Sequence, residues 1–181
     1  MTIDTQDGTV KMPNGFSVGG ELSQKAFKAS GAFADAQRRD HGTPPWVHYH
    51  LSGGSLDGKE ILVGFCFYDQ MLVDVSITAE FYPPGQRDWS SYSLEVEAET
   101  KRFHDRLLEQ LLGKCRESKR LSWRRFFGKN AVLEEPRSWR FPWGTVSSCH
   151  DFKGGDTTII LSCGHRREEA DRAYRFRRKS Q

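Results

Sequence analysis

His48 and His50 form the pair whose spacing best suits chemistry. On a strand, residues two apart project from one face, and two imidazoles side by side can ligate a transition metal. A third ligand would have to come from His41, His104, His150 or a carboxylate such as Asp74, and no local spacing fixes which. A polar outer face, or a histidine pair at an interface, explains the two residues with fewer assumptions, so no metal or other cofactor is expected. Cys149-His150-Asp151 writes a nucleophile, a base and an orienter in a row. Neighbouring strand residues point to opposite faces, however, so the thiol would need its base from elsewhere, His104 for instance. Glu95, Glu97 and Glu99 open a helical stretch, where the helix dipole accounts for them. The chain contains no Gly-x-Gly-x-x-Gly, Walker, nucleophile-elbow or His-Glu-x-x-His pattern. These observations favour a non-enzymatic protein.

The elements that would position these residues follow from periodicity. Residues 46–51 suggest a strand and SGGSLDG a loop, and residues 60–67 and 71–82 suggest a hairpin. In the second arm, Met71, Val73, Val75, Ile77, Ala79 and Phe81 alternate with Leu72, Asp74, Ser76, Thr78 and Glu80. A two-residue turn at Asp69-Gln70 would set Phe65 beside Asp74, whereas a three-residue turn aligns the apolar rows, so the odd-length loop is expected. Val96, Thr100, Phe103, Leu107 and Leu111 recur at helical spacing between an N-cap at Ser93 and a stop at Gly113. A second hairpin spans FPWGTVSSCH and TTIILSC across Gly154-Gly155. The expected fold is α+β: an antiparallel sheet of about four to six strands, built from two hairpins and packed by one long helix. One domain is expected over residues 1–165, with a loose lead-in at 1–15 and a basic, aromatic insert at 114–140. Residues 166–181 form a charged tail, read as a short surface helix or as disorder.

The net charge of +3 is unevenly spread: −6 over residues 1–113 and +6 over residues 114–140. Such polarity points to a charged partner. Within the basic segment, LSWRRFF (residues 121–127) interleaves arginine with aromatics. That combination can stack bases and bind phosphates, and it also typifies protein–protein hot spots. The four cysteines are widely spaced with no Cys-x-x-Cys pair, so buried free thiols are expected. No secretory leader and no apolar run long enough to span a bilayer is visible, so a cytoplasmic protein with no membrane partner is expected.

Trp143-Gly144-Thr145-Val146-x-Ser148-x-x-Asp151, with Gly154-Gly155 and Thr158-Ile159-Ile160 and the upstream FCFYDQMLVDVSI, resembles small uncharacterised bacterial α+β proteins. Some of these are immunity-like proteins associated with toxins. The resemblance covers roughly residues 59–163 and implies a compact α+β domain with no catalytic residues to carry over. The expected function is therefore a non-enzymatic, immunity-like protein that binds and occludes a toxin or effector protein. The expected contacts are Trp123, Arg124, Arg125 and Trp139 if the basic pole is used, or Asp74, Glu80 and Asp88 if the acidic one is. A nucleic-acid-binding module on residues 114–140 and the tail is the first alternative. A metal-dependent enzyme built on His48 and His50 is the second.

Overall fold

The computed structural model describes residues 1–39, 45–83, 90–115 and 132–179. Three two-residue strands, β1 (Thr2–Ile3), β2 (Val10–Lys11) and β3 (Ser17–Val18), pair antiparallel at the start of the chain. Helix α1 (Gln24–Lys28) follows; Ser23 caps it by accepting the Ala26 N–H at 3.1 Å. The main sheet takes β4 (Gln37–Arg39), β5 (Trp46–Leu56), β6 (Lys59–Tyr68) and β7 (Met71–Ala79) before helix α2 (Leu94–Leu112). It then takes β8 (Arg137–Phe141), β9 (Gly144–Asp151) and β10 (Asp156–Cys163) before helix α3 (Gly164–Lys179). All neighbours are antiparallel, in the order β4-β5-β6-β7-β10-β9-β8.

The α+β class and the antiparallel sheet agree with the sequence reading, but the sheet has seven strands, not four to six. The additional strands are short edges: β4 lies ahead of the strand expected at residues 46–51, and β8 ends the basic insert. The expected loop SGGSLDG is mostly strand. β5 runs on to Leu56 through a register shift between Ser52 and Ser55, and only Asp57-Gly58 turns.

The β6–β7 turn also corrects an expectation. It has two residues, Asp69-Gln70, both at positive φ (47° and 72°), and it pairs Phe67 with Leu72. A bulge at Val73 then supplies the odd residue, so Cys66 meets Asp74, Phe65 meets Val75 and Val63 meets Ile77. The apolar rows do align, but the extra residue sits in the strand and not in the loop.

No single long helix packs the sheet. On one face, α2 covers β9 and β10, while α1 and the small N-terminal sheet cover β5, β6 and β7. Phe27 of α1 stands 5.2, 5.0 and 5.8 Å (ring centroids) from Tyr49, Phe65 and Phe67. Phe103, Leu107 and Leu108 of α2 join the same buried cluster with Val146, Ile159 and Leu161. Helix α3 lies on the opposite face: Arg167 reaches Asp74, and Tyr174 meets Trp46, edge to face at 6.4 Å. Arg167 and Asp171 add an i,i+4 pair at 3.2 Å. No helix among the described residues is long and apolar enough to cross a membrane.

Candidate partner-binding cleft

Strand alternation decides what the α3 face presents. Tyr49 and Leu51 turn into the core, so Trp46, His48 and His50 project from the other side. Register then lines up cross-sheet rows. His48, Cys66, Asp74 and Ser162 form one row, and His50, Gly64, Ser76 and Ile160 form the next. Beyond them the hydroxyls of Thr78 and Thr158 meet at 3.2 Å. Between the first two rows and α3 opens a cleft of about 360 Å³, walled by Trp46 and Arg167. Gly64 makes the notch in its floor: a Cβ there would stand 2.3 Å from Ser76 Oγ.

Asp74 and Cys66 of this cleft are held in quiet states. Asp74 accepts Ser162 Oγ at 2.6 Å and is ion-paired with Arg167. Burial works against the charge of Arg167, but Asp74 and Asp171 outweigh it and raise its pKa. The guanidinium also lies 5.8 Å from the Trp46 ring centroid. Burial, reinforced by the Asp74 charge, pushes the Cys66 thiol up to about 12, far from the thiolate that nucleophilic chemistry needs. His48 Nε2 stands 3.9 Å from that sulfur. His48, Cys66 and Asp74 thus share a row, yet among the described residues no group of three or more His, Cys, Asp or Glu is arranged to hold a metal ion.

A second polar cluster is interior. Glu97 and His150, both buried, face each other at 3.6 Å. His150 Nδ1 lies 2.9 Å from Thr157 Oγ1, and its Nε2 lies 3.4 Å from the Tyr92 hydroxyl. Thr157 Oγ1 donates to the Glu97 carbonyl at 3.3 Å, which ties the first turn of α2 to the β9–β10 hairpin. Glu97 is therefore more than a dipole carboxylate. Further along α2, Lys101 is wholly buried and bonds Asp105 at 2.6 Å. Burial lowers its pKa.

The residues singled out from sequence fall in different places. His48, His50 and Asp74 come together in the cleft. Glu80 is half-buried just past the end of β7, away from them. Trp139 lies in the core and donates its indole N–H to the Gly113 carbonyl at 2.9 Å. Trp123, Arg124, Arg125 and Asp88 lie outside the described residues. Sequence reasoning missed Trp46, Cys66, Gly64 and Ser76, although the alternation of β5 and β6 carried the signal. It also missed Arg167, which needed the tail to fold back onto the sheet.

Fold and cleft together define an antiparallel α+β protein with one sheet face given to the core and a cleft on the other. No family model, curated protein or solved structure matches the chain. The hairpin pattern that carried the immunity-like resemblance has structural duties at its defining positions. Trp143 Nε1 donates to the Thr5 carbonyl at 3.2 Å, Val146 and Ser148 are fully buried, and Asp151 accepts the Lys153 N–H at 2.9 Å. At Gly144 a Cβ would stand 2.0 Å from the Ser162 carbonyl oxygen.

Proposed function

We propose that this is a non-enzymatic protein-binding protein that seats a segment of a partner in the cleft beside α3. Occlusion of a toxin or effector, in the manner of an immunity protein, is the specific form of this role. The observation that carries the proposal is the cleft itself: tryptophan, arginine and two histidines converge around groups already neutralised or protonated. Two of its reactive groups are quiet, which supports recognition over reaction: Arg167 closes the Asp74 carboxylate, and the Cys66 thiol lies far above the thiolate range. Aromatic and arginine residues are the usual anchors of protein interfaces. The tail from residue 166 onward carries a net charge of +4, which would steer an acidic partner towards α3. Trp46, His48, His50, Arg167 and Tyr174 are the contacts this proposal names.

The test is capture from the native host with tagged wild-type protein and with the rim double variant His50→Glu, Tyr174→Ala. Both of its positions are exposed, so the fold should survive, which circular dichroism would check. One stoichiometric protein kept through a high-salt wash by the wild type and lost by the variant is the expected result. Equal retention by both would refute the cleft, and nucleic acid released as salt rises would favour the basic segment instead.

A further inference from the structure

On the core side of the sheet, where the N-terminal strands cross β7 and β10, lies a second cavity, of about 350 Å³. Val18, Leu72, Val75 and Leu161 form its floor, and Trp143 and Cys163 its walls. Close-packed interiors rarely leave a space of this size beside aliphatic side chains. The segment above it is fastened at two points that flank the space and do not fill it. Trp143 Nε1 donates to the Thr5 carbonyl on one side. Arg166 donates to the Gly20 carbonyl and to Glu21 on the other.

We infer that this cavity is a binding site for a small, neutral, apolar molecule about the size of a fused two-ring aromatic. Size is the first argument, because an apolar hole of ~150 Å³ admits a benzene ring and ligand sites begin at roughly 300 Å³. The rim supplies the second. Its guanidinium, Arg166, already faces Glu21, and Asp7 adds a further carboxylate beside the exposed imidazole of His165, so the rim holds at least as many carboxylates as cations and gives an acidic headgroup no net attraction. The hydrogen-bonding groups of the two clasps are engaged with each other, which leaves the interior of the site to apolar contact. Cys163 offers a reporter within the wall: burial pushes its thiol up to about 11, so it alkylates slowly and a ligand should slow it further.

Indole is the probe. Added to the full chain, it should raise the melting temperature saturably and shift the amide resonances of Val18, Leu72 and Leu161. It should also slow alkylation of Cys163 by iodoacetamide at least fivefold while leaving Cys149 unchanged, read by peptide mass spectrometry. Val18→Phe, which fills the space from the N-terminal side, should abolish all three effects. The Cys163 protection is measured on wild-type protein and so stands even if that variant fails to fold. Indole-3-acetate should bind at least tenfold more weakly than indole. Unsaturable effects, shifts confined to other residues, equal slowing at Cys149, or tighter binding of the acid would each overturn the inference.

Discussion

The two halves of the main sheet share one order of elements and spend it differently. β5-β6-β7-α2 and β8-β9-β10-α3 are each three strands and a helix, and they meet where β7 pairs with β10. Yet α2 lies on the core face and α3 on the other. The stripe of α2 buries Phe103, Leu107 and Leu108, and even its polar residues Glu97, Lys101, His104 and Asp105 are buried. In α3, by contrast, Ala170 is the one fully buried side chain among those described, and the contacts are Arg166 with Glu21 and Arg167 with Asp74 and Trp46. Apolar burial dominates the seating of α2, whose Asp105 and Glu109 also pair with Arg137, and ionic contacts dominate that of α3, so α3 should respond more strongly to its ionic surroundings.

The largest effect should come from breaking the apolar side. Leu108 is fully buried, so Leu108→Ala should cost about 2–5 kcal/mol through lost transfer energy and the cavity left behind. Chemical denaturation measures it. A loss under ~1 kcal/mol would mean that α2 is not seated as described and would remove one pole of the comparison.

Next comes pH, where the two sides respond with opposite sign. Cys66, on the α3 side, has its folded pKa pushed from 9.0 up to about 12. Its contribution is therefore complete below pH 9 and is lost as pH rises towards 12, at about 1.4 kcal/mol per pKa unit. Lys101, on the α2 side, has its folded pKa lowered from 10.5 by burial. The unfolded chain then holds more protons in the interval up to 10.5, so stability rises with pH there. Denaturation curves between pH 8.5 and 11.5 should show Cys66→Ala flattening the alkaline loss and Lys101→Met steepening it. The opposite assignment of slopes would contradict the burial given to these two groups.

What was legible in the sequence divides along the same line. The α2 stripe, the Ser93 cap and the Gly113 stop were readable because an apolar face at helical spacing announces itself, and alternation in β7 announced a half-buried strand. The bulge at Val73 was not readable, since an extra residue in a strand and one in a loop restore the same apolar alignment. Edges β4 and β8 escaped because short strands carry too few positions for a period. Of the cleft, the shared face of His48 and His50 was legible from their spacing, and Asp74 was suggested as a companion. Arg167 was not, because nothing local to a highly charged segment says that one arginine closes on a carboxylate ninety-three residues away.

That arginine defines a smaller effect. Asp74→Asn and Arg167→Gln, alone and together, form a double-mutant cycle whose coupling should be about 1 kcal/mol, since the Arg167 side chain is 41 % exposed and its charge is partly screened. A coupling indistinguishable from zero would mean that the Arg167–Asp74 pair does not hold α3, leaving Ala170, the Trp46 contacts and the Arg166 clasp on Gly20 and Glu21 to seat it.

The smallest effect discriminates best between the two halves. Surface and rim ion pairs weaken as the Debye length falls from about 10 Å at 0.1 M salt to about 3 Å at 1 M, while apolar burial does not weaken. Raising sodium chloride over that range should speed amide hydrogen exchange two- to fivefold along α3, from Arg166 to Tyr174, and leave the Phe103–Leu108 stretch of α2 unchanged. The same salt should also uncover the wall of the cleft, because Arg167 and Tyr174 leave with the helix. If α2 and α3 instead exchange at one common, salt-independent rate, the helices unfold as a single unit and α3 is part of the core in energy, though not in composition. A partner acidic enough to compete for Arg166 and Arg167 would in that case find no helix free to yield, and binding would have to use the rim of His50 and Tyr174 with α3 fixed in place.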